Sequence, residues 1–154
     1  MDSDNRRGLR TIFMNPAWIA FTWFGMTAGV SLLATPVRFT AGTITRPVAL
    51  DVGRVVFMAL NKAEIAALVI ALIVVRVSGT ARDYWIPLFA LAVILIAQGA
   101  WLIPELAART DLVIAGIEPA PSIAHAAYST LELVKLLLLG WLGGHSLRRL
   151  ATPA

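Results

Sequence analysis

Four apolar segments of about 20 residues follow one another along the chain, with short polar stretches between them. A bilayer core is about 30 Å thick and an α-helix rises about 1.5 Å per residue, so each segment is long enough to cross a membrane. We place the spans at about residues 13–35, 55–75, 84–104 and 122–143. They use nearly the whole chain, of which only 14% is charged. We therefore predict an all-α polytopic membrane protein, one domain over residues 1–154, folded as a four-transmembrane-helix bundle.

Two helices are expected to extend beyond the apolar segments. Thr45 followed by Pro47 is typical of a helix start, several turns before span two enters the membrane. Residues 105–114 can continue span three past Pro104. Both extensions would lie on the same side of the membrane.

The absence of cysteine excludes disulfides, thiolate metal sites and cysteine nucleophiles. His125 and His145 are the only histidines, and their spacing on one helix puts them about 30 Å apart, too far to share a haem within a monomer. The sequence contains no phosphate-binding loop, zinc-protease motif or nucleophile elbow. We therefore expect no cofactor, no metal and no catalytic residue, and a non-enzymatic protein is favoured over an enzyme.

The distribution of arginine predicts the orientation of the bundle. Four spans place both termini on one side, and that side carries seven arginines against four on the other. The seven are Arg6, Arg7, Arg10, Arg76, Arg82, Arg148 and Arg149, and the four are Arg38, Arg46, Arg54 and Arg109. The positive-inside rule then predicts both termini in the cytoplasm, in a bacterial inner membrane. Arginines at segment ends argue against a nucleic-acid partner, so the expected partners are membrane lipid, other membrane subunits or a second copy of the chain.

Span four carries one polar stripe on an otherwise apolar helix. Its members are three or four residues apart and therefore share one face: His125, Tyr128, Ser129, Glu132 and Lys135. Within the stripe, Glu132 and Lys135 can neutralise each other because they are one turn apart.

Span two carries a matching set of polar residues. Arg54, Asn61 and Glu64 project to one side, and Lys62 points about a quarter-turn away. Spans two and four run in the same direction, and Glu64 and Glu132 each lie about ten residues, or about 15 Å, past the entrance of their helix. The two carboxylates are therefore expected at equal depth.

Span three adds Gln98, Trp101 and Glu105, which an α-helix would place on one face toward the same outer half of the bilayer. Ionisable residues inside a membrane are functional candidates. The candidate ligand-binding residues are Arg54, Asn61, Lys62, Glu64, Gln98, Glu105, His125, Tyr128, Glu132 and Lys135.

Several interpretations of this polar cluster remain open. In the first, the charges are structural pairs between helices, Glu64 with Lys135 and Lys62 with Glu132. In the second, they line a hydrated cavity that binds an ion, a proton or a small solute. A surface that meets a partner is the third. A small transporter or an accessory subunit of a larger membrane complex is the alternative function.

Span one is apolar, and its small and hydroxyl residues follow helical spacing. Gly25 and Gly29 form a G-x-x-x-G pair, which permits close helix approach and is expected to pack against a span of the same chain rather than a second copy. Thr27, Ser31 and Thr35 form a stripe whose hydroxyls are expected to bond backbone carbonyls one turn back.

Short motifs along the chain resemble a known family. They are Gly29-Val30 and Pro36-Val37-Arg38-Phe39 at the end of span one, Gly53-Arg54-Val55-Val56-Phe57 at the start of span two, and His125 before a Leu-rich final helix. In this layout the chain resembles the small four-span membrane proteins that include the eukaryotic transmembrane protein associated with cisplatin resistance and its bacterial relatives. The resemblance implies a four-span fold and brings no established chemistry with it.

Overall fold

Helices cover most of the residues that the computed structural model describes, which are 14–79 and 81–151, and no strand occurs in these ranges. Four helical rods are long and apolar enough to cross a membrane: Ala17–Thr40, Arg46–Val77, Arg82–Ile114 and Ala124–Leu150. The predicted all-α four-helix bundle is thereby confirmed. The predicted start of span one at Phe13, and the N-terminal residues Arg6, Arg7 and Arg10, lie outside the described residues.

The helix extensions beyond spans two and three are also confirmed. Span two begins directly after Thr45, whose backbone is extended, and has Pro47 in its first turn. Span three ends before Gly116, which has a positive φ of 75°. The amide of Ile117 then donates to the carbonyl of Leu112 at 2.9 Å, which closes the last turn of the helix.

Span four does not end near residue 143 as the sequence predicts, but continues to Ala151. Gly143, at the predicted end, has a packing role instead. A Cβ at Gly143 would lie 2.7 Å from the ring of Phe21 in span one, and a Cβ at Gly140 would touch Phe24 at 3.8 Å. Gly143 therefore admits an aromatic ring between spans one and four without interrupting the helix.

This packing predicts different effects for neighbouring glycines. Replacing Gly143 with Leu should lower the free energy of unfolding by about 1–3 kcal/mol, because the ring of Phe21 has to leave its place. A Cβ at Gly144 meets nothing within 4 Å, so Gly144→Leu is the matched control and should cost less than about 0.5 kcal/mol. Thermal melts in detergent measure both. Equal losses for the two variants would contradict the assigned role of Gly143.

Spans one and three each contain a π-helical segment, at Gly29–Ala34 and Gln98–Leu102. A π turn bonds residue i to i+5, so each turn holds an extra residue and rotates the side chains that follow. The expectation that Trp101 shares an inward face with Gln98 is wrong for this reason. Gln98 is fully buried, whereas Trp101 is 57% exposed.

Span one packs against the bundle through a different face from the one expected. Trp23 and Thr27 are buried, whereas Gly25 is exposed and Gly29 is half-buried. A Cβ at either glycine would meet nothing within 4 Å. The prediction that Gly25 and Gly29 pack against a span of the same chain is therefore wrong, because Gly25 lies two residues, or about 200°, around the helix from the inward-facing Trp23.

The apolar core fills the end of the bundle where span one begins and span four ends. Its buried residues are Ile19, Ala20, Trp23, Ala67, Ala71, Val75, Tyr84, Leu88, Leu91, Leu95, Leu139 and Leu142. The opposite end, which we call the distal end, carries the loops at residues 41–45 and 115–123. Only a small buried group of Leu102, Ala124 and Tyr128 forms a second core there. Polar groups and a cavity occupy the space between these two cores.

Candidate functional site

Lys135 is the centre of a buried charge cluster. Its ammonium group donates to the carboxylates of Glu64 and Glu132, each at 2.7 Å, and to Gln98 Oε1 at 3.0 Å. An ammonium has three protons, so these three bonds satisfy it completely. Lys135, Glu64 and Gln98 have no exposed surface, and Glu132 is 3% exposed. The predicted pairing of Glu64 with Lys135 at equal depth is confirmed.

Span one supplies donors that the sequence interpretation missed. Trp23 Nε1 and Thr27 Oγ1 donate to Glu64 Oε1 at 3.1 and 2.7 Å. Thr27 was expected to bond its own backbone, and Trp23 was not among the candidate residues. A signal was present, because Trp23, Thr27 and Ser31 recur every four residues along one face of the helix.

Glu132 is held from three sides. Gln98 Nε2 donates to its Oε1 at 2.8 Å, the same oxygen that Lys135 contacts, and Ser31 donates to Oε2 at 2.7 Å. Ser31 and Gln98 both lie in the π-helical segments. Thr35, by contrast, bonds the carbonyl of Val30 at 2.8 Å, so the expected backbone bond of the stripe is confirmed at that residue alone.

The cluster contains two carboxylates and one ammonium group. Among the described residues, Lys135 is the only cation within salt-bridge distance of Glu64 or Glu132. The formal charge of the buried group is therefore −1. A buried charge without a counter-ion is costly, and the amide and hydroxyl donors around the carboxylates reduce that cost.

Two of the predicted candidates in span two lie apart from this cluster. Lys62 is exposed on the opposite side of the helix from Glu64, so its expected pairing with Glu132 is wrong. Two residues along an α-helix correspond to about 200°, which carries Lys62 away from the bundle. Asn61 is buried, and its Nδ2 has no hydrogen-bond partner within the described ranges. Its Oδ1 packs against Gly99 of span three, where a Cβ would lie only 2.9 Å away.

A cavity of about 780 Å³ lies at the distal end, between all four spans. Its walls are largely apolar and include Leu32, Leu50, Phe57, Ile103, Leu106, Val113 and Leu133. Glu132, Ser31 and Tyr128 reach the cavity from the side of the charge cluster and form what we call its floor. Four arginines also line it: Arg38, Arg46, Arg54 and Arg109. The buried cluster and the cavity therefore share one residue with a charge, Glu132.

Three of the four arginines are paired with carboxylates at the distal end. The pairs are Arg46 with Glu118 at 3.3 Å, Arg54 with Asp111 at 2.6 Å and with Asp51, and Arg109 with Glu105 at 3.3 Å. Arg54 and Glu105, both predicted site residues, thus belong to this rim of ion pairs and not to the buried cluster. The pair of Arg46 joins span two to the loop at residues 115–123, and the pair of Arg54 with Asp111 joins span two to span three.

Arg38 is the exception among the cavity arginines. It has no carboxylate partner in the part of the chain that the structure describes, and its Nε is buried without a hydrogen bond. Its guanidinium instead lies 5.0 Å from the ring centre of Phe39 and 5.8 Å from that of Phe57, within cation–π distance. A Cβ on Gly53 would overlap the guanidinium, so this glycine makes the space that Arg38 occupies.

Tyr128 is a second buried polar group in the cavity. It is only 3% exposed, and its hydroxyl, which lies near the carboxylate of Glu132, makes no hydrogen bond of regular geometry with a described residue. The ring packs edge-on against Phe57, with ring centres 5.1 Å apart. His125, one turn earlier on the same helix, is exposed at the edge of the cavity.

The structure thus divides the predicted site residues by location. Glu64, Gln98, Glu132 and Lys135 come together in the cluster, while Arg54, His125 and Tyr128 line the cavity. Within the described residues, no group of three or more His, Asp or Glu side chains is arranged to hold a metal ion.

No family model, curated protein or solved structure matches this chain. The resemblance to the cisplatin-resistance-associated family stays a prediction, and the function has to be argued from the cavity and the cluster.

Proposed function

We propose that this membrane protein binds a small amphipathic anion in the distal cavity, as a non-enzymatic binding or transport protein. The observation that carries the proposal is Arg38. Its charge has no carboxylate partner among the described residues, although the other three cavity arginines do. A guanidinium binds carboxylates and phosphates through paired hydrogen bonds, and that of Arg38 makes no ion pair with a described residue that would compete with such a ligand.

The size and the walls of the cavity support a ligand with an apolar part. Small-molecule sites commonly enclose about 300–1,000 Å³ and are lined by apolar side chains with a few polar groups, as this cavity is. Phe57 contacts both Arg38 and Tyr128, so an apolar surface connects these two polar groups. A bound chain can therefore lie between them.

The ligand would enter from the periplasmic side of the membrane. We propose that both termini lie in the cytoplasm of a bacterial inner membrane, which leaves the distal end on the opposite side; the excess of arginine on the terminal side supports this orientation. Alkaline phosphatase fused to the C-terminus should then be inactive, because this reporter needs the periplasm. An active fusion would reverse the orientation and make the cavity open to the cytoplasm.

Binding of hexyl phosphate to the protein purified in an uncharged detergent tests the function. We expect hexyl phosphate to raise the melting temperature in a saturable way, and hexanol at equal concentration to do so much less. Arg38→Gln should weaken the affinity for hexyl phosphate at least about tenfold, since a hydrogen-bonded charge pair contributes about 1.5–3 kcal/mol. Gly53→Ala should weaken it too, because the guanidinium would be displaced while its charge is kept.

Arg76→Gln is the matched control for this experiment. Arg76 is exposed at the opposite end of span two, so its loss changes the net charge equally without altering the cavity. It should bind hexyl phosphate as the unmodified protein does. Equal binding by the Arg38 and Arg76 variants, or equal stabilisation by hexanol and hexyl phosphate, would contradict the proposal.

A further inference from the structure

The two ends of the distal cavity carry opposite, uncompensated charges. At the mouth, Arg38 has no carboxylate partner among the described residues. At the floor, Glu132 belongs to a cluster in which two carboxylates share the single ammonium group of Lys135. Each charge would be stabilised by a ligand group of the opposite sign.

Glu132 has an acceptor position left for such a group. Its Oε1 accepts two hydrogen bonds, from Gln98 and Lys135, whereas Oε2 accepts one, from Ser31. A carboxylate oxygen has two lone pairs, so Oε2 can accept a further donor. The hydroxyl of Tyr128, one turn away on the same helix face, lies near the Glu132 carboxylate without a hydrogen bond of regular geometry, and its oxygen can also accept a donor. An ammonium group fits these acceptors.

The spacing of the two charges follows from span one. Ser31 contacts Glu132, and Arg38 comes seven residues later on the same rod, so their backbone positions are about 10 Å or less apart along the helix, since part of this segment is π-helical. The wall between them includes the apolar residues Leu32 and Phe57. A complementary ligand therefore has its charges at the two ends of an apolar chain.

We infer that the ligand of the distal cavity is a zwitterion, with a phosphate or carboxylate at Arg38 and a protonated amine at Glu132, joined by an apolar chain of roughly 10 Å or less. The inference rests on the proposed function, because it assigns the second end of the same ligand. In this inference the carboxylate of Glu132, which shares its only cation with Glu64, binds the amine of the ligand.

Three soluble phosphates of defined structure test this inference in equilibrium binding to the purified protein. Hexyl phosphate carries the anion and the chain, 6-aminohexyl phosphate adds the terminal amine, and 2-aminoethyl phosphate has both charges close together, as in a lipid ethanolamine headgroup. We expect 6-aminohexyl phosphate to bind at least about tenfold more tightly than hexyl phosphate, as one added ion pair allows. 2-Aminoethyl phosphate should bind more weakly than either.

Glu132→Gln identifies the group that recognises the amine. In this variant 6-aminohexyl phosphate and hexyl phosphate should bind with similar affinity, because the carboxylate is gone while Arg38 remains. Tyr128→Phe keeps every charge and should reduce the preference only in part. Equal binding of the two hexyl compounds by the unmodified protein overturns the inference without any variant, and the proposed function still stands. Absence of binding by hexyl phosphate overturns the proposed function itself, and tightest binding of 2-aminoethyl phosphate would overturn the extended spacing.

Discussion

Replacing Lys135 with Met is expected to lower the free energy of unfolding by about 3–5 kcal/mol, the largest loss that a single substitution in the bundle should cause. The reason is that Lys135 is fully buried and is the only cation in contact with Glu64 and Glu132 among the described residues. Its removal leaves two carboxylates without a cation in a buried site. Thermal or denaturant unfolding in detergent measures the loss.

The only other lysine in the chain provides the matched control. Lys62 is exposed and makes no ion pair with the described residues, so Lys62→Met should change stability by less than about 0.5 kcal/mol. Combining Lys135→Met with Glu64→Gln should cost clearly less than the sum of the single losses, because the second change removes part of the unbalanced charge. Additive losses would mean that the two residues stabilise the fold independently, contrary to their 2.7 Å contact.

The second large effect is expected at Gln98, where Gln98→Met should lower the free energy of unfolding by about 2–4 kcal/mol. The amide donates to Glu132 and accepts from Lys135, so its loss leaves both charged groups with an unmade hydrogen bond in a buried place. Methionine has a similar volume, which separates the loss of hydrogen bonds from a change in packing. Unfolding in detergent again gives the measurement.

The buried amide of Asn61 provides the control for Gln98→Met. Asn61 is buried as well, but its Nδ2 has no hydrogen-bond partner in the described part of the chain. Replacing Asn61 with Leu therefore removes an unsatisfied polar group and should cost less than about 1 kcal/mol. A loss at Asn61 as large as at Gln98 would show that burial of an amide, and not its bonds to Glu132 and Lys135, determines the effect.

The number and order of the helices could be predicted because they depend on the length of apolar segments, which is a local property. The pairing of Glu64 with Lys135 could be predicted for a similar reason. Both spans enter the membrane from the same side and stay α-helical as far as these residues, so counting residues gives their depth.

The rotation of span one about its own axis could not be obtained by counting residues. It depends on which face packs against neighbouring spans, and Trp23 and Thr27, not Gly25, meet them.

A hydrated cavity was one of the interpretations that the sequence left open, but the residues that line it could not be predicted. Arg38 entered only the charge count and a family motif, because nothing local indicates that Gly53, fifteen residues later, makes room for its guanidinium. The wrong pairing of Lys62 came from treating a rotation of about 200° as a quarter-turn. His125 and Tyr128 were placed on one face correctly, but a face becomes a cavity wall only when the other three spans leave a gap beside it.

The two π-helical segments determine where the distal end tolerates a change in residue number. A π turn holds one residue more than an α turn, so deleting a single residue from Gly29–Ala34 would allow span one to continue as a regular α-helix. The residues before the deletion would keep their contacts, including those of Trp23 and Thr27 with Glu64. Arg38, which comes after it, would keep its direction too, because the residue removed is the extra one that the π turn holds. Deleting one residue from the α-helical part of span one, between Trp23 and Thr27, would instead turn Arg38 by about 100° relative to Trp23 and take it out of the cavity, although every side chain named in the site was still present.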